Sequence, residues 1–228
     1  MKKTAVYIIL SVFILSAFGC SANAPTVAPS ETPQPTQTPT PAATDEPVST
    51  SDSDDPFTAE NIDNMLPIMD SIMLSAEESG LEEHNYKNAE NFWVYFYYLC
   101  VNHFDSIGGA ALDTKTGVLS VPENTILDLM YASFSGEPTI PGVPSDMQNV
   151  SYNSETKSYE FSMSDRGESY PEIASYEKTD DNKIEVTVDM KFYEDNSVLY
   201  SALFTLVENT HDETQKYPLS VESFKFLD

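Results

Sequence analysis

Cys100 and His103 stand three residues apart, a spacing that makes them neighbours on a helix surface. An imidazole beside a thiol is the arrangement that activates a cysteine nucleophile. The surroundings of Cys100 argue against that use. It lies inside the run Phe92-Trp93-Val94-Tyr95-Phe96-Tyr97-Tyr98-Leu99-Cys100-Val101, with no basic side chain next to it, and a thiol in apolar surroundings stays protonated and inert. The same run supplies Tyr95, Tyr97 and Tyr98, which together with His103 could line a pocket between helix and sheet. The competing reading packs these rings into the core and leaves their hydroxyls satisfied at its rim. The three histidines, His84, His103 and His211, fall in different expected elements, so no metal is assigned to them. Two acidic stretches, Asp180-Asp181-Asn182 and Glu194-Asp195-Asn196, read as turns, because Asp and Asn bond their own backbone and tolerate left-handed conformations. Neither has the alternating carboxylates and following glycine of a calcium loop. G-x-S-x-G, H-E-x-x-H, a phosphate-binding loop, a dinucleotide glycine fingerprint and C-x-x-C are all absent. No catalytic residue and no cofactor is therefore assigned.

These residues depend on elements that the periodicity outlines. Ile62, Met65, Leu66, Met69, Ile72 and Met73 recur at helical spacing, with Pro67 marking a kink or a start and Ser79-Gly80 the end. A second helix is expected from about Glu83 to Asp105, apolar all round and so buried, stopped by Gly108-Gly109. A short strand or turn over residues 110–121 leads to a third helix opening at Pro122-Glu123-Asn124. It carries Ile126, Leu127, Met130, Tyr131 and Phe134 on one side and ends before Gly136. Residues 137–148 hold three prolines and form a loop.

Beyond Asn149 the period changes to two. Val150–Asn153 and Ser158–Met163 read as a hairpin around Ser154-Glu155-Thr156-Lys157. Strands at 171–178, 183–192, 198–207 and 219–227 follow. The clearest alternation places Ile184, Val186, Val188, Met190 and Phe192 inward and Lys183, Glu185, Thr187, Asp189 and Lys191 outward. Residues 198–207 are apolar on both faces and so belong in the middle of a sheet. Helices first and antiparallel strands afterwards predict an α+β domain, N-terminal helices packed on a curved antiparallel sheet. The order of elements from Phe57 to Asp228 resembles the cone-shaped fold of the nuclear-transport-factor-two-like family and, more loosely, the cystatin-like fold. That resemblance implies a concave face able to hold a pocket and carries no functional residue across.

The charge balance excludes one class of partner. Eleven Lys and Arg stand against 37 Asp and Glu, a formal net charge of −26. Arg166 is the only arginine and, apart from Lys2-Lys3 in the expected signal, the lysines are scattered singly, so the clustered cations that release counterions from nucleic acid are missing. Anionic membrane surfaces are repelled as well.

The N-terminus gives the other strong signal. Lys2-Lys3 precede an apolar stretch from Ala5 to Leu15, which is short for a membrane span. Leu15-Ser16-Ala17-Phe18-Gly19-Cys20 then resembles the lipobox of bacterial lipoproteins, in which the cysteine receives a diacylglycerol and becomes the mature N-terminus. Ala17 and Phe18 depart from that pattern, which prefers Leu and a small residue at these positions. The other reading is an ordinary signal peptide cleaved near Ala22 or Ala24, with Cys20 lost. Residues 21–56 favour the anchor, since they hold eight of the fifteen prolines, no aromatic residue and an acidic end at Asp52-Ser53-Asp54-Asp55. Such chain cannot bury a core and extends at about 3.1 Å per residue, a reach on the order of 100 Å. The resemblance implies a Gram-positive type lipoprotein: residues 1–19 signal, 20–56 disordered Pro/Thr-rich tether, 57–228 a single α+β domain at the extracytoplasmic face of the cell membrane. The expected function is a non-enzymatic binding or interaction module with a protein, peptide or cell-wall partner. A small-molecule-binding or hydrolytic enzyme using the helix–sheet pocket stands as the alternative.

Overall fold

Thr58 sets the first helix. Its side chain accepts a hydrogen bond from the Asn61 amide at 3.2 Å, supplying the acceptor that an uncapped helix start lacks. This computed structural model describes residues 55–80, 87–136, 138–165, 167–179, 182–211 and 216–227. Cys20, the signal segment, the tether as far as residue 54, His84, Arg166 and the Asp180-Asp181 pair lie outside the described residues. Asp55 and Pro56 are tied to the domain: Asp55 pairs with Lys178 at 3.0 Å, and the Pro56 carbonyl accepts from Asn61 Nδ2.

Helix α1 is Ala59–Asn64 and α2 is Leu66–Ser79, with Pro67 in its first turn, where the missing N–H removes no helical bond. Gly80 closes α2 in the left-handed region at φ 62°. Helix α3, Ala89–Asn102, begins later than Glu83 because Asn88 caps it, its Oδ1 accepting from the Glu90 and Asn91 amides. A single 3-10 turn at Phe104–Ser106 follows in place of helix up to Asp105. Helix α4 is Glu123–Ser133.

The stretch over residues 110–121 is more ordered than its sequence suggests. Strands β1 (Ala111–Asp113) and β2 (Val118–Pro122) form a hairpin whose turn has Gly117 at φ 68° and Asp113 Oδ1 accepting from the Lys115 amide. The hairpin of β3 (Val150–Asn153) and β4 (Ser158–Ser162) then adds to β2, giving the sheet order β1-β2-β4-β3. Strands β5 (Ser169–Thr179), β6 (Lys183–Phe192), β7 (Val198–Glu208) and β8 (Leu219–Leu227) make a second antiparallel sheet in sequential order. The domain is thus mixed α+β, as its pattern predicts, but its strands divide between two four-stranded sheets where one was expected. The physical reason lies in β2. Its buried Leu119 and Val121 already offer an apolar face, and Phe161 and Tyr159 of β4 extend it by pairing opposite them.

The helices contact both sheets. Helices α3 and α4 pack on the first, and α2 and α4 pack on the second. The Trp93 ring of α3 lies 4.6 Å from Tyr159 and 6.4 Å from Phe161, centroid to centroid. Phe92 stacks on Phe134 beyond the end of α4. The Ser135 amide donates to the Val221 carbonyl, and Ser220 Oγ donates to the Tyr131 carbonyl, binding the end of α4 to β8. Ile184, Val186, Val188 and Met190 are buried as the alternation requires, while Phe192 at the end of β6 is only half-buried; β7 sits between β6 and β8, as its apolar composition predicts.

Candidate functional site

Asp70 and His103 form the most deeply set acid–base pair among the described residues. Asp70 projects from α2 with 2% of its surface exposed, and its Oδ2 accepts from His103 Nε2 at 2.6 Å. The His103 side chain, at the end of α3, is 12% exposed. The imidazole therefore serves the buried carboxylate and not the Cys100 thiol. Cys100 is fully buried, and burial pushes its thiol well above the usual range, so nucleophilic use of it has no support in the geometry.

The four residues expected around a pocket go to different places. Tyr95 is in the core, donating to Ser133 Oγ, whose own hydroxyl donates to the Leu129 carbonyl. Burial drives the Tyr95 phenol far above its ordinary value. Tyr97 is half-buried, its ring edge-on to Tyr98. Tyr98 is half-buried too and donates to Glu78 Oε2 at 2.7 Å, while Tyr200 from β7 donates to Glu77 Oε2 at 2.9 Å. Desolvation first, then the carboxylates, raise both phenols; Asp70 adds to the effect on Tyr200. Three acidic residues of α2 thus meet a histidine and two tyrosines, and each contact is a satisfied hydrogen bond.

A pocket among the described residues lies elsewhere. A cavity of about 270 Å³ opens between the α1–α2 junction, the end of α3, α4 and the segment before β8. Its walls are apolar, from Ile68, Leu99, Ile107 and Leu129, and its polar groups are Asp63, Asn64, Ser106 and Lys216. None of Tyr95, Tyr97, Tyr98 and His103 lines it. Ser106 does, but its Oγ donates to the His103 carbonyl at 2.7 Å, and no imidazole reaches it to activate it. Asp63, Asn64, Ser106 and Lys216 are exposed at the mouth, whereas the four wall residues are buried.

The other sequence candidates have structural duties. His211 stacks on the Tyr131 ring at 4.4 Å. Asp195 accepts from the Ser197 amide within its turn, and the bonds from Ser197 hold its carboxyl below the usual range. The β5–β6 and β6–β7 connections fall at opposite ends of the second sheet, so the two acidic turns do not meet. Among the described residues no group of three or more His, Cys, Asp and Glu side chains converges to hold a metal.

Asp70 left a signal that periodicity alone does not use. It sits four residues after Leu66 and three before Met73, a carboxylate on the apolar stripe of α2, and a buried charge there demands a partner. Lys216 left none, because the cavity joins residues more than a hundred positions apart. No family model matches the chain, no curated protein matches it, and no solved structure matches it.

Proposed function

We propose that this chain is an extracytoplasmic binding module, held to the cell membrane by a lipid on Cys20 and extended from it by the Pro/Thr-rich tether. It has no nucleic-acid partner and takes a small molecule, or a side chain of a peptide or cell-wall partner, in the cavity between α1–α2, α3 and α4. The observation that carries this reading is the cavity itself: apolar buried walls and a ring of exposed polar groups, the usual composition of a ligand site. The fold belongs in this reading with the cone-shaped, cystatin-like architectures. Breaks of register at Ile173/Ser175, Met190/Lys191 and Thr205/Leu206 support it, since bulges bend the strands that carry them.

The test is a thermal-shift screen of small metabolites and wall fragments against the full chain and against Asn64→Trp, which places an indole in the cavity mouth from an exposed position. A ligand at a hundred times its Kd stabilises by about 2.7 kcal/mol, and this gain should vanish in the variant. Hits that survive Asn64→Trp unchanged overturn the site. Mass spectrometry of the membrane-extracted N-terminus should find diacylglyceryl Cys20, and an unmodified start beyond that residue overturns the anchor.

One observation favours a hydrolytic second reading. Asp70 lies three residues after Pro67 and His103 four after Leu99, both of which line the cavity, so the imidazole is one helical turn from it. Turnover in a hydrolase screen that His103→Gln abolishes, with ligand binding retained, would establish this reading over the first.

A further inference from the structure

Building on the reading of the cavity as a ligand site, we infer that its ligand is a zwitterion of amino-acid size with an apolar side chain, such as a free branched aliphatic α-amino acid. Two charged side chains stand at the mouth. Asp63 and Lys216 both line the cavity, and among the described residues neither is ion-paired, to the other or to a third group. Lys115, Lys157 and Lys225 are likewise in none of these ion pairs, but Lys216 is the lysine that lines the cavity.

The position of Lys216 is fixed by its neighbours. Its Nζ stands 4.9 Å from the centroid of the Tyr217 ring, a cation–π distance. It also stands 2.8 Å from the point that a β-carbon on Gly108 would occupy. The ammonium therefore rests in the space that glycine leaves, folded onto the body of the domain at the cavity mouth. Any side chain at 108 would displace it.

Charge decides among ligands. A simple carboxylate would meet Lys216 but also Asp63 and the field of the whole chain, and a simple amine would meet Asp63 but also Lys216. A zwitterion satisfies both groups and carries no net charge for that field to repel. Its apolar remainder then lies on Ile68, Leu99, Ile107 and Leu129. A volume of about 270 Å³ falls just below the ~300–1,000 Å³ common for drug-sized ligands, and so suits a molecule the size of leucine.

Calorimetry on the full chain with L-leucine, 4-methylpentanoate, 3-methylbutylamine and 4-methylpentanamide tests the inference. Leucine should bind about tenfold or more tightly than each analogue, which lacks one charge or both. Lys216→Met should weaken leucine by about tenfold while leaving 3-methylbutylamine no weaker, and Asp63→Asn should do the same with 4-methylpentanoate spared. Gly108→Ala keeps the ammonium but moves it, and should weaken leucine and 4-methylpentanoate together. Equal affinity for all four probes, lost in Asn64→Trp, overturns the zwitterion and leaves the ligand site standing. No binding of any probe also overturns the zwitterion, and the thermal-shift screen then decides the site on its own.

Discussion

Replacing His103 by Ala should be among the more damaging single changes in the domain, and the reason is the carboxylate left behind. Asp70 keeps only 3% of its side chain exposed, and its bond to His103 Nε2 is 2.6 Å long. Removing one partner of a buried pair typically costs about 3–5 kcal/mol, because the other charge stays buried without compensation. The His103 side chain is 12% exposed, so water entering its place should relieve part of that, and the expected loss is about 3 kcal/mol. Against a total stability of about 5–15 kcal/mol this is a large share. Trp93 provides the assay, since it is the only tryptophan and is fully buried. With a urea m-value near 2 kcal/mol/M, its fluorescence midpoint should fall by about 1.5 M. Asp70→Leu combined with His103→Leu removes both polar groups, and should cost less than the sum of the two single changes by more than 1 kcal/mol or so. A midpoint shift under about 0.25 M in His103→Ala, or strict additivity in the double variant, would refute the reasoning.

Three further outcomes follow from burial and backbone geometry. Burial pushes the Tyr159 phenol up to about 12 and raises Tyr95, Tyr98 and Tyr200 as well. The unfolded chain releases these protons near pH 10 while the native domain holds them, so stability should fall as pH climbs from about 10 to beyond 12, with phenolate absorbance appearing together with unfolding. Cys100 should resist alkylation in the native state and be labelled only on unfolding, as peptide mapping after a short pulse would record; rapid native labelling would contradict its burial. Gly80→Ala should destabilise by about 1 kcal/mol, measured as a lower Tm, because Gly80 closes α2 at φ 62°.

The legible parts of the fold were those written in local pattern. The alternation of residues 183–192 gave β6 with its inward face correct from Ile184 to Met190, Phe192 at the strand end being only half-buried, and Pro67 and Gly80 marked the two ends of α2. Asn88 shows where local reading slipped: a cap outranked the apolar run in placing the start of α3. Strand β1 is three residues with only Leu112 even partly buried, too short to show any period. The division into two sheets depends on β2 choosing β4 as its neighbour, a pairing across about forty residues that no window along the chain contains. The site was less legible for the same reason. The tyrosine run of α3 is dense in aromatic rings, yet its members are absorbed by the core and by the acidic face of α2, whereas the cavity assembles residues from five separate places along the chain.

The lysines sharpen this point about where function can reside. Lys178, Lys183 and Lys191 are spread over the second sheet, each joined to a carboxylate: Asp55, Glu222 and Glu172. Pairs exposed in this way contribute about 0–1 kcal/mol, so they neither hold the fold nor offer an unsatisfied charge to a partner. Lys216 differs in each respect that matters for recognition. It has an aromatic face beneath it, a glycine beside it and a cavity in front of it. On a surface otherwise rich in carboxylates, a ligand's negative group gains most where an ammonium meets apolar walls, because there the charge is opposed by the least solvent. Substituting Lys191 should therefore leave ligand affinity unchanged while substituting Lys216 abolishes its charge dependence, and equal effects from the two would mean that the net charge of the chain, rather than this cavity, governs binding.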